Sequence, residues 1–204
     1  MRCMRVLGAA VAVVAALTLS ACSQDAPEGE GGSSSTTPTA PAAGWDITTL
    51  EGVDGASRAT VDGIGIDVPA GFTSDERTSG EDTTQLVLQR EGAARSEVNL
   101  TVTRDEDVDD DGVDAAAATA FAQLGASGIA SDLQQVPLTW EGFGHAVAVR
   151  GVLTLDDGTE LDVEYVTTRD PAGTRVVGVW AEAPRGALAD SVAYEVLRTV
   201  RVDG

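Results

Sequence analysis

The chain has no lysine. All 13 of its basic residues are arginine, set against 33 acids and a single histidine, His145. A Ser-Lys dyad is therefore excluded, and so is a metal site built on a cluster of histidines. A Ser-His-Asp arrangement would have to use His145. That residue shares parity with Val147, Val149, Leu153 and Leu155 on an apolar stretch, which predicts a structural role at the edge of a core face. Cysteine is almost as scarce: Cys3 and Cys22 are the only two, and residues 23–204 have none. That stretch cannot form a disulfide, present a thiol nucleophile or bind zinc through cysteine. Carboxylate pairs of the glycosidase type remain open among so many acids, but spacing in sequence does not identify one. A protein that is not an enzyme is expected.

The acids set the charge. Net charge is −20 with His145 neutral. Such a surface is soluble and repels polyanions, so nucleic acid is excluded as a partner. Cationic partners and divalent cations are permitted.

The N-terminus carries the strongest signal. Arg2 and Arg5 precede an apolar stretch, Val6–Leu19, which ends in Leu19-Ser20-Ala21-Cys22. A basic start, an apolar core of about 7–15 residues and small residues at the cut describe an export signal. The stretch falls short of the roughly 20 apolar residues that a membrane-spanning helix needs. Leu19–Cys22 resembles the lipobox of bacterial lipoproteins. The resemblance implies cleavage before Cys22, lipid on its sulfur and anchoring on the extracytoplasmic side of the cell membrane. Removal of residues 1–21 would leave 11 arginines against 33 acids, a net charge of −22. The all-arginine usage, rich in Ala, Gly, Val and Asp, resembles that of high-GC actinobacteria.

Residues 22–43 are Gly, Ser, Thr, Pro and acid, which reads as a lipidated cysteine followed by a disordered tether. Residues 44–204 are enough for one domain. Strand-like runs 58–61 and 64–68 flank Asp62-Gly63, a hairpin turn signal. Residues 83–90 and 96–104 follow, the latter alternating Val98, Leu100 and Val102 with polar positions. Residues 113–124 read as a helix with Val113, Ala117, Ala120, Phe121 and Leu124 on one face. Asp110 or Asp111 is the expected cap, and Gly125 and Gly128 the expected end. Four long strands follow over 133–141, 145–155, 160–168 and 174–183. Pro184 then suits a helix start, and Leu188, Val192, Val196 and Val200 form its stripe. Strands without alternating βα units predict an α+β domain, an antiparallel sheet of about seven strands with two main helices packed on it.

Three stretches carry a family resemblance. Gly63–Phe72, Asn99–Val102 and Val196–Val202 resemble the opening strand, the strand before the first helix and the closing segment of the PsbP-like fold, which LpqN-type lipoproteins share. Phe72 stands where that family has Trp, and Thr199-Val200 where it has Ser-Phe. The resemblance implies binding or assembly, and the family has no shared catalytic motif to carry over.

Asp107-Val108-Asp109-Asp110-Asp111-Gly112 matches the first half of a calcium-binding EF-hand loop, with Asp107, Asp109 and Asp111 as ligands. Ala118 stands where the bidentate Glu belongs, and Asp114 where an apolar residue does. The competing reading is a solvated acidic loop that caps the helix. Functionally, the sequence points to a lipid-anchored envelope protein that binds or scaffolds another envelope protein. Trp45, Trp140, Phe143 and Trp180 are candidates for interface or core. A carrier holding an apolar or lipid ligand in a sheet cavity, and a calcium-responsive module, are the alternatives.

Overall fold

Asp62 and Gly63 both have positive φ, 48° and 78°, as a two-residue hairpin turn requires. They join β1 (Ser57–Val61) to β2 (Ile64–Val68), as the sequence predicts. The computed structural model describes residues 45–203; Cys22, the signal segment and the 22–43 tether lie outside them. After the hairpin come β3 (Phe72–Thr78), β4 (Thr83–Arg90) and β5 (Val98–Arg104), then α1 (Asp110–Ala126). The second half supplies β6 (Ala130–Trp140), β7 (Gly144–Thr154), β8 (Glu160–Arg169) and β9 (Arg175–Pro184). A 3-10 turn (Leu188–Asp190), α2 (Val192–Leu197) and β10 (Arg201–Val202) end the chain. The domain is α+β. Its main sheet has seven antiparallel strands in the order β3-β4-β5-β9-β8-β7-β6. A second sheet, β1-β2-β10, was not anticipated.

Alternation along the strands divides the core. On one face, Val98, Leu100 and Val102 of β5 join Val177 and Val179 of β9 and Val166 of β8. Ile64 and Ile66 of the small sheet and Val196 and Leu197 of α2 close over them. On the other face, Val147 of β7 meets Val113 and Ala117 of α1, while Leu153, Leu161 and Val163 pack beside Leu124. Strand β7 is thus covered on both faces, which is why Ala146–Val149 and Val152–Leu153 read as continuous apolar stretches. Each fully buried Val or Leu contributes about 1.5–3 kcal/mol.

Several boundaries differ from expectation. The cap of α1 is Asp109, which accepts from Gly112 N at 2.9 Å. Asp110 and Asp111 instead lie in the first turn. Gly125 stays inside the helix; Gly128, at φ 74°, follows its end. Pro184 closes β9 rather than opening a helix. Ser191 is extended and caps α2 by accepting from Tyr194 N, so the expected long final helix is six residues, and Val200 lies beyond it. Strand β3 escaped notice because six of its seven residues are exposed and mostly polar, as suits an unpaired edge.

Arg58 ties the small sheet together. It donates to Asp67 Oδ1, the Thr199 carbonyl and Asp203 Oδ1, each at 2.9 Å. Gly65 lies beneath this network, and a side chain there would collide with Arg58 and Asp203. Gly65→Ala is expected to cost about 2 kcal/mol in displaced charge-assisted hydrogen bonds, lowering the thermal midpoint by roughly 4–8 °C. An unchanged midpoint in a circular-dichroism melt would contradict this role.

Asp170 organises the β8–β9 turn. Its carboxylate accepts from Thr174 N, Thr174 Oγ1, Arg175 N and Arg175 Nη1, at 2.7–3.0 Å. Burial pushes its pKa up, but the bonds from Thr174 and Arg175 outweigh burial and hold it below the ordinary carboxylate value. The stabilisation is present above the unfolded value near ~3.9 and is lost as pH falls through the lower folded value. Stability should therefore fall more steeply as pH drops below about 4 in the native protein than in Asp170→Asn. Parallel acid limbs in chemical denaturation would refute this.

Candidate functional site

On the face of β6, β7 and β8 turned away from α1, the helical cover is incomplete. The 3-10 turn and α2 supply one wall through Leu188, Ala189 and Tyr194. Trp45, at the start of the described chain, supplies another. The result is a cleft of about 830 Å³, open to solvent. Gln134, Arg150, Val152, Asp162 and Glu164 line it from the sheet, and Arg185 and Gly186 from the loop after β9.

Glu164 is the unusual residue of this cleft, since its side chain is only 1% exposed. Its Cα partner across the β7–β8 pair is Arg150. That register places the guanidinium against the carboxylate: Nε donates to Oε2 at 2.8 Å and Nη2 to Oε1 at 3.1 Å. The fork-to-fork geometry is the strong form of the pair. Trp45 lies over the guanidinium, 3.7 Å from ring centroid to Cζ, a cation–π contact. Burial pushes the Glu164 pKa up, and the hydrogen bonds and charge of Arg150 offset this only in part. Tyr194 is also pushed up, first by burial and then by the Glu164 charge. At the rim, Asp162 accepts from Arg185 Nη1 and from Gly186 N, both at 2.6 Å. Both arginines of the cleft are thus paired, and the chemistry on offer is recognition.

A smaller cleft of about 570 Å³ lies between Thr49–Glu51, Glu141–Phe143 and Arg201–Val202. Val202, 41% exposed, is the most exposed large apolar side chain among the described residues.

The acidic loop has another use. Asp109 is spent on the helix cap. Asp107 sits before it at φ 59°, and Asp111 lies in the first helical turn. Asp110 accepts from Arg169 Nε at 3.0 Å, and Val108 is buried against Val113 and Ala117. The structure does not bring Asp107, Asp109 and Asp111 together. Among the described residues no three His, Cys, Asp or Glu side chains stand close enough to hold a metal ion. His145 lies on the α1 side, as its parity predicts, with Nε2 2.8 Å from Asp114 Oδ1.

The aromatics divide between core and surface. Trp140 and Phe143 are buried together, with ring centroids 5.1 Å apart. Trp180 is half-buried and donates to Glu182 Oε2 at 3.1 Å. Trp45 is the one that lines the larger cleft. Arg150 and Glu164 were not singled out from sequence. A signal was present: each is a charge at a position whose neighbours of the same parity, Ala146, Ala148 and Val166, are buried.

Arg150→Met removes the partner of a buried carboxylate. Breaking such a pair costs about 3–5 kcal/mol. The lower end is expected, because Arg150 keeps 30% exposure. The variant should lose most of its penalty when Glu164→Leu is added. Equal midpoints for native protein and Arg150→Met in a urea titration would show that the pair does not matter.

No protein-family model matches the chain, and no curated protein matches it in sequence. Among solved structures, the Saccharomyces cerevisiae Ran-binding protein Mog1p is similar at 13% identity over 72% of this chain and 95% of that one, TM-score 0.46. A Mog1 point mutant gives 14% identity over the same shares, TM-score 0.44. A Bacteroides thetaiotaomicron protein gives 15% identity over 76% of this chain, TM-score 0.39, and this chain spans half of its length. At these values no partner or activity carries over.

Proposed function

We propose that the protein is a lipid-anchored lipoprotein of the cell envelope that binds or scaffolds another envelope protein and performs no catalysis. The observation that carries this reading is the open cleft at Trp45, Arg150 and Tyr194. It offers aromatic surface and paired charges to a partner, the mixture that recognition surfaces favour. No helix among the described residues is long and apolar enough to cross a membrane. The attachment in this reading is lipid at Cys22, supported by the lipobox-like Leu19–Cys22. Stable anchoring takes more than one acyl chain. The seven-stranded antiparallel sheet supports reading the domain as PsbP-like, with α1 and α2 as its packed helices.

The carrier alternative needs an enclosed apolar cavity. Both clefts open to solvent, and the larger has an ion pair in its floor. These observations favour binding over carrying.

Cross-linking in intact cells tests the proposal, with the native protein beside Cys22→Ala. The native form should sediment with membranes and yield a defined adduct. Cys22→Ala should run as the unprocessed precursor and take up no labelled palmitate, which the native protein incorporates. Palmitate uptake by Cys22→Ala, or none by the native protein, would count against the anchor, and the same background without an adduct from both forms would remove the scaffold reading.

A further inference from the structure

The described residues open with a strap that belongs to no regular strand or helix. Ile47 bridges Trp140 in parallel, with Ile47 N bonded to the Thr139 carbonyl and Glu141 N to the Ile47 carbonyl. Further on, Leu50 N bonds the Arg198 carbonyl and Val53 N donates to Asp67 Oδ2. Those anchors hold the strap from Asp46 onward. Trp45 is held differently: it packs on the edge of the main core, and its ring rests on Arg150, which is held in turn by buried Glu164. The platform under Trp45 is thus set by a carboxylate two side chains away.

We propose that Trp45, Arg150 and Glu164 form a proton-operated latch, closed while Glu164 is ionised and opened when it takes up a proton. An ionised Glu164 accepts both bonds from Arg150 and fixes the plane on which Trp45 stacks. A protonated one carries a hydrogen on one oxygen, loses its charge and no longer matches the guanidinium fork. Arg150, part-exposed, then turns from Glu164 toward Tyr194 and water, and Trp45 loses its platform while its contact with the core edge remains. The other charged or titratable groups at this cleft do not substitute for Arg150. Asp162 on β8 is held by Arg185 and Gly186 N. Asp132 on β6 faces Arg185 at 3.9 Å, and Tyr194 on α2 is a phenol with its pKa pushed up, neutral throughout the window. From β9, the neighbour of Glu164 is Ala181, which has no charge. Because burial raises the Glu164 pKa, opening falls above the usual glutamate value of ~4.3. The latch does not depend on the identity of any partner, but its opening uncovers Arg150 at the cleft.

Two measurements test it. In the native protein, NMR should show the Glu164 side-chain carboxyl carbon and the Trp45 indole N–H titrating with one shared midpoint above about 4.3. Separate midpoints, or a static Trp45 indole, would overturn the latch without recourse to any variant. Tryptophan emission from pH 8 to 4, corrected with Trp45→Phe, should red-shift across the same range. Glu164→Gln should show the low-pH Trp45 signal already at pH 7 and no transition. Persistence of the transition in Glu164→Gln would also overturn it.

Discussion

A carboxylate at the position of Glu164 is tenable only because Arg150 stands opposite it. Removing an ion from water costs several kcal/mol, and the attraction of its partner repays this only when the geometry is good. Here the geometry follows from sheet register, since Arg150 and Glu164 are direct partners on adjacent strands. A slip of one residue would send Glu164 to the face that α1 covers and Val163 to the cleft. The pair therefore helps specify register beside β7, which is apolar on both faces over Ala146–Val149 and carries little alternation of its own.

The absence of cysteine in the domain leaves stability to packing and to ties of this kind. Arg58 joins β1, β2 and the C-terminal residues through Asp67, Thr199 and Asp203. Asp170 does the same for a single turn. Bidentate pairing also suits a chain whose only strong cation is arginine, because the planar guanidinium can hold two carboxylate oxygens at once. Many acids remain without such a partner on the surface, where they keep the protein soluble at little cost.

Much of the scaffold was legible in sequence. The alternation of Val98, Leu100 and Val102 gave the face of β5, and Asp62-Gly63 gave the first hairpin, because both signals are local. What stayed hidden depends on distant residues. Strand β3 has no apolar face to reveal it and exists because β4 offers it a ladder. Strand β10 needs β2. Pro184 was misread because the same fixed φ suits a helix start and an extended strand end. Residues Asp107, Asp109 and Asp111 illustrate the opposite failure: the spacing of an EF-hand loop was visible, yet the helix took Asp109 for its cap and the core took Val108. The cleft could not be assembled from sequence, since Trp45, Arg150, Glu164 and Tyr194 come from four separated segments, although Trp45 was a candidate and Arg150 and Glu164 each interrupt a buried parity.

The strap, the ion pair and the cleft make one unit, and the proposed binding role rests on that unit. A photo-cross-linking amino acid placed singly at Ala189, exposed on the cleft wall, or at Ala122, exposed on α1, tests it in the membrane-anchored protein. The account predicts one defined adduct from position 189 and none from 122. Equal labelling from both positions, or an adduct from 122 alone, would contradict it.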